Sequence, residues 1–146
     1  MTARRSEEDA LHAAVADLLD LVLLPPAWWT TFPLGGGGKA RGGKLKRRGA
    51  KKGTLDILII SAQTGWGHAD WIELKSAKGR LTPEQREIME KLISAGCQVA
   101  IARSVADVLA MLDAWGIPHK RVVIDGPLMP LKPSAEALQR PSRVRR

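Results

Sequence analysis

Apolar positions along this chain alternate between helical and strand-like spacing. Leu11, Val15, Leu18 and Val22 recur at helical intervals, which predicts a helix over residues 6–24, opened by Ser6 and Asp9 as an N-cap pair and ended by Pro25 and Pro26. Residues 29–33 read as a short first strand. The β-branched run Ile57-Leu58-Ile59-Ile60 predicts a strand over 55–61 covered on both faces. Residues 63–69, with Gly65 and Gly67, read as a hairpin connection to a strand over 70–76. Thr82-Pro83-Glu84-Gln85 combines an N-cap residue, Pro at the first helical position and Gln at the third, so it is a capping box. The helix it opens lines one face with Ile88, Met89, Leu92 and Ile93 and stops at Gly96. A strand over 98–102 follows, then a helix capped by Ser104 and closed at Gly116 and Pro118. Residues 122–124 are expected to add an edge strand. The order α, β, β, β, α, β, α, with no internal repeat, predicts an α/β domain with a central mixed sheet flanked by helices.

Two segments break this pattern. Residues 35–53 hold eight of the 14 glycines and no core face, which predicts a loop or arm of high chain entropy. From Gly126 onward Pro127, Pro130, Pro133 and Pro141 lead to Arg143, Arg145 and Arg146, the composition of a flexible basic tail. A chain of 146 residues is enough for one core and too short for two, so the division is one domain over 1–125 and a tail over 126–146.

Charge sharpens the picture. The 23 Lys and Arg against 15 Asp and Glu give a net charge of +8, and the excess has an address. Lys39, Arg41, Lys44, Lys46, Arg47, Arg48, Lys51 and Lys52 stand together with no acid among them, and without these eight the basic and acidic counts are equal. Such a segment suits a polyanion held at one place, nucleic acid first. A membrane surface would call for an amphipathic basic helix or a lipidation signal, and neither is expected here. The apolar stretch 18–29 is broken by Asp20 and two prolines, so no membrane span or signal peptide is expected. One cysteine, Cys97, allows no internal disulfide and no cysteine-type zinc site, which points to a cytoplasmic protein and a structural thiol.

The chemistry-bearing candidates are few. In Trp71-Ile72-Glu73-Leu74-Lys75 a carboxylate and an ammonium two positions apart share a strand face. On its own this spacing also describes a cross-strand salt bridge on a solvated face. Asp56 enters the neighbouring strand. It reads as a turn former, or as a second carboxylate within reach of Glu73, since Mg²⁺ takes one or two carboxylates plus waters and phosphate oxygens. Lys75 beside such an ion would orient or deprotonate a water, or stabilise the transition-state phosphate. His12, His68 and His119 show no ligand spacing, and His68 is expected to lie exposed in the hairpin loop. Gly35 to Gly38 lack the Gly-Lys-Ser/Thr continuation of a phosphate loop. Trp28 and Trp29 read either as base-stacking residues or as packing and dimer contacts.

Gly53-Thr-Leu-Asp56, Trp71-Ile-Glu73-Leu-Lys75, Gly79-Arg-Leu-Thr-Pro-Glu-Gln85 and then Val99-Ala-Ile-Ala, in this order, resemble the VRR-NUC branch of the PD-(D/E)XK nuclease superfamily over roughly residues 8–115. One departure is Leu55, where that family commonly has Pro before the aspartate. The resemblance implies a restriction-endonuclease-like core and a divalent-metal-dependent endodeoxyribonuclease. It implies that Glu8, Asp56, Glu73 and the Leu74 carbonyl hold Mg²⁺ or Mn²⁺, that Lys75 serves the attacking water, and that Gln85 stands beside the catalytic strand. Glu7 is the reserve for Glu8, because Glu8 has Leu11, His12 and Val15 behind it at helical spacing. Acids near a helix start are also favoured by the helix dipole alone, and Gln85 is a capping residue in its own right. The basic segment corresponds to an extended loop of that family and is expected to follow a phosphate backbone rather than read bases.

Stand-alone members of this branch, in phages and bacteria, resemble structure-selective nucleases, so the implied substrate is branched DNA, as in DNA repair. A symmetric homodimer resolving four-way (Holliday) junctions is the natural extension. The rival readings are a non-catalytic nucleic-acid-binding module and a phage packaging accessory. The intact Glu8, Asp56, Glu73 and Lys75 speak against both, because a binding module has no use for acids beside a polyanion.

Overall fold

The computed structural model describes residues 3–32, 38–63 and 65–124. Eight elements follow one another: α1 (Ala3–Val22), β1 (Trp28–Thr31), α2 (Gly38–Arg47), β2 (Ile57–Gln63), β3 (Trp66–Leu74), α3 (Pro83–Ser94), β4 (Gln98–Ala102) and α4 (Val105–Trp115). The strands form one sheet in the order β1-β2-β3-β4. β1 with β2 and β2 with β3 are antiparallel, whereas β3 and β4 run parallel through the α3 crossover. The sheet is therefore mixed, as the alternation of patterns predicts, and the fold is α/β.

One face of the sheet makes the core. Ile57, Ile59, Ile72, Leu74 and Ala102 meet Val15, Leu18, Leu19 and Val22 of α1 and Val108 and Leu112 of α4, all buried. Because side chains alternate along a strand, burying Ile72 and Leu74 on this face sends Trp71 and Glu73 to the other. The register Ile57↔Ile72 and Glu73↔Ile101 carries the same alternation across three strands. α3 packs on β4 and sends Gln85 to Glu73, so it lies over this second face.

The caps behave as the sequence reads. Thr82 Oγ1 accepts from the Gln85 N–H at 3.2 Å while Gln85 Oε1 accepts from the Thr82 N–H at 3.0 Å. Ser104 Oγ accepts from the Asp107 N–H at 3.1 Å, and Gly116 closes α4 in the left-handed region with φ 67°, where a side chain would be strained.

Four expectations need correction. Residues 38–47 form helix α2 instead of a loop: Lys, Arg, Ala and Leu favour helix strongly enough to carry Gly42 and Gly43. Lys44, Lys46 and Arg47 fall in its last turn, where the helix dipole welcomes cations. α2 buries no residue, so no apolar stripe announced it. Second, β3 begins at Trp66 and β2 runs to Gln63, so the expected 63–69 connection shrinks to the residues between those ends. Third, α1 begins at Ala3, so Ser6 lies inside the helix and does not cap it. Fourth, residues 122–124 form no strand; in their neighbourhood His119 makes an isolated bridge to Leu23 and the Lys120 N–H donates to Val22 O at 2.7 Å. The expected tail over 126–146 lies outside the described residues.

Candidate active site

Asp56 stands at the mouth of β2, and two neighbours hold it. Its Oδ2 accepts from the Leu74 N–H at 2.8 Å, which fastens the start of β2 to the end of β3. Its Oδ1 lies 3.3 Å from His12 Nε2 of α1. Burial opposes the charge on Asp56, but His12, the Leu74 amide and the nearby Lys75 outweigh it and hold the carboxyl below its ordinary range. The same contact with Asp56 raises the His12 pKa against the effect of its own partial burial.

Glu73 is the centre of the arrangement. It is only 1% exposed, and its Oε1 accepts from both Lys75 Nζ of its own strand and Gln85 Nε2 of α3. Its Oε2 is buried with no hydrogen-bond partner, an unusual state for a carboxylate oxygen. Burial, then the charge of Asp56, pushes the Glu73 pKa up to about 7 in spite of Lys75. Lys75 is itself only 8% exposed, so the alternative of a salt bridge on a solvated face is excluded. Its backbone N–H donates to Ala102 O at 3.0 Å, continuing the β3–β4 ladder one residue and fixing where the side chain starts.

Glu8 reaches this end of β3 from α1. Its Oε1 accepts from the Ser76 N–H at 3.4 Å, and it packs so near Gly79 that a Cβ there would lie 3.2 Å from that oxygen. Gly53 explains the Gly-x-x-Asp approach. With φ +84° it runs against the first turn of α3, and a Cβ would sit 2.5 Å from the Glu84 carbonyl carbon and 2.8 Å from the Gln85 nitrogen. Only glycine fits on both counts.

The structure thus brings Asp56, Glu73, Lys75 and Gln85 together and places Glu8 beside the next turn. His12 joins them; its helical spacing behind Glu8 marked it only as part of that helix pattern, and nothing in the sequence pointed to its contact with Asp56. His68 lies in β3 and not in a loop, half-buried with Nδ1 2.7 Å from Asp70 Oδ1. The eight cations of the basic segment are all exposed, Lys39, Arg41, Lys44, Lys46 and Arg47 on α2 and Arg48, Lys51 and Lys52 after it. Lys52 is paired with Glu84 of α3. Trp29 donates to Asp20 Oδ1 at 2.8 Å and packs on the core, whereas Trp28 is 58% exposed.

Among the described residues no three His, Cys, Asp or Glu side chains close into a ready metal-binding group. The site offers two carboxylates, one with a buried oxygen lacking a partner. Hard oxygen donors in that number fit a Mg²⁺-type ion, which keeps waters and substrate oxygens for its remaining positions.

The sequence model of the VRR-NUC domain family matches residues 39–106, a stretch that includes Asp56, Glu73, Lys75 and Gln85. Over that stretch the chain is similar to the VRR-NUC domain. A solved structure described as a VRR_NUC domain protein is similar over 73% of this chain and 84% of its own, with a TM-score of 0.54 and 24% identity. That likeness supports the fold of the VRR-NUC domain. No curated protein matches the chain. The VRR-NUC family is of nuclease type, and the match implies DNA as a partner. No helix among the described residues is long and apolar enough to cross a membrane.

Proposed function

We propose that this protein is a divalent-metal-dependent, structure-selective DNA endonuclease that hydrolyses phosphodiester bonds in branched DNA, acting as a homodimer. The observation that carries the reading is Glu73: a buried carboxylate beside Asp56 holds Lys75 and Gln85 through one oxygen and leaves the other without a partner. A structural ion pair would satisfy both oxygens, because an unpaired buried acceptor is costly.

Asp56, Glu73, the Leu74 carbonyl and Glu8 would hold Mg²⁺ or Mn²⁺. Such an ion supplies Lewis-acid stabilisation of phosphate charge and a more acidic water. Lys75 holds the attacking water by a hydrogen bond; the water gives up one proton to solvent as its oxygen bonds to phosphorus, the opposite P–O bond breaks, and a solvent proton goes to the leaving oxygen. Gln85 fixes the Glu73 carboxylate through its amide, and His12 fixes Asp56. The cations of α2 and the residues after it neutralise the phosphate backbone on either side of the scissile bond. Their point charges position DNA without reading its sequence, which suits recognition by shape.

The test is cleavage of plasmid, duplex, flap and four-way-junction DNA with Mg²⁺, Mn²⁺ or EDTA. The expected result is metal-dependent cleavage that prefers the branched substrates. Binding without cleavage in either metal would favour the non-catalytic module.

A further inference from the structure

Arg103 follows β4 and has no part in the carboxylate arrangement, yet it makes the densest set of hydrogen bonds near it. Its Nη1 donates to Ser76 O at 2.5 Å and Gly79 O at 2.9 Å and reaches Ala77 O at 3.4 Å. Its backbone N–H donates to Asp107 Oδ2 at 2.8 Å, which anchors the residue on the first turn of α4. Arg103 therefore ties the start of α4, through its backbone, to one short turn, through its guanidinium.

That turn begins directly after Lys75. The Gly79 N–H donates to Ser76 O at 2.9 Å, and the Ser76 N–H is the donor to Glu8. A Cβ on Gly79 would lie 3.2 Å from Lys75 Cβ and 3.2 Å from Glu8 Oε1, so the turn is folded tightly against both site residues. Three backbone carbonyls gathered in one turn need donors, and a planar, permanently charged guanidinium supplies them in fixed directions. Any shift of the turn moves the backbone of Lys75 and the amide that Glu8 contacts.

We propose that Arg103 is a positioning residue: it clamps the 76–79 turn and so sets Lys75 and Glu8 relative to Glu73, without contacting DNA. This rests on the nuclease reading above. The experiment measures single-turnover cleavage at saturating DNA, DNA affinity across salt concentrations, and amide exchange at Ser76 and Gly79. In Arg103→Ala the exchange at both amides should accelerate and the saturating rate fall about 10- to 100-fold, the scale of a small misplacement of reacting groups. DNA affinity and its salt slope should remain those of the parent protein. Arg103→Lys, whose ammonium can still donate to several carbonyls, should recover part of both the rate and the protection. Where the alanine change prevents folding, Arg103→Gln carries the same readouts with a smaller loss.

Faster exchange with an unchanged rate would make the clamp merely structural and overturn the proposal. An unchanged saturating rate with weaker binding and a shallower salt slope would make Arg103 a phosphate contact, which also overturns it. If the parent protein itself cleaves no DNA with either metal, the nuclease reading fails and takes the positioning role with it. An active parent with an unaffected Arg103→Ala rejects Arg103 alone.

Discussion

At the scale of single residues, Glu73 and Asp56 divide the work by environment. Burial and the neighbouring charge raise Glu73 to about 7, from an ordinary 4.5, so in metal-free buffer the folded chain binds this proton more tightly than the unfolded chain. The stability this confers is complete below the unfolded value and is lost as pH rises through the folded one. Urea denaturation in EDTA should therefore show Glu73→Gln gaining on the parent by about 1–3 kcal/mol between pH 5 and pH 8. A constant difference across that range would contradict the burial of the charge. In the cleavage assay, Asp56→Ala and Glu73→Ala should abolish activity while DNA binding holds or tightens, because on the proposed reading each removes a negative charge beside phosphate. Lys75→Ala should reduce single-turnover cleavage by about 100-fold or more, the scale of a missing acid–base or electrostatic group, with Mn²⁺ affinity retained. Cleavage near the parent rate would return Lys75 to the role of a counter-ion. Asp56, Glu73, Lys75 and Gln85 were legible in the sequence because each sits in a short local pattern. His12 was not, because its partner Asp56 lies 44 positions away and only the docking of α1 joins them.

At the scale of elements, the approach from Gly53 to Asp56 behaves as a ruler of fixed length. One end is pressed on the α3 backbone and the other is tied to the Leu74 amide. Gly53→Ala combines a positive φ with a backbone collision and should cost about 2–4 kcal/mol by chemical denaturation. Gly49→Ala has open space around it and should cost less than half as much, which separates the collision from the backbone conformation that both glycines share. Helix α2 belongs to the same scale. Neutralising Lys46, Arg47, Arg48 and Lys51 should weaken DNA binding and reduce the log–log salt slope by about 0.9 for every phosphate that these cations cease to neutralise. An unchanged slope would leave the helix a solubilising device. The helix escaped the sequence reading because periodicity reports burial, and an element that buries nothing has no stripe to report. The hairpin ends of β2 and β3 escaped the sequence reading for a related reason: Trp66 to Ala69 hold their place by ladder pairing with Ile60 to Gln63, while their side chains carry only a weak apolar pattern.

At the scale of the whole molecule, the sequence conveyed the mixed sheet flanked by helices, because buried runs and caps occur in an order that few topologies satisfy. Which residues face one another across the sheet came only from the register. α1 joins both sides of this description: Val15, Leu19 and Val22 wall the core, and Glu8 and His12 reach the site from the same helix. The matched stretch 39–106 contains neither set. Cut out as an independent module, that stretch would expose the sheet's inner face and be deprived of two of the side chains around its carboxylates. The matched stretch is therefore not expected to be portable: a fusion or truncation that omits α1 should lose core packing and, on the proposed reading, two site residues together.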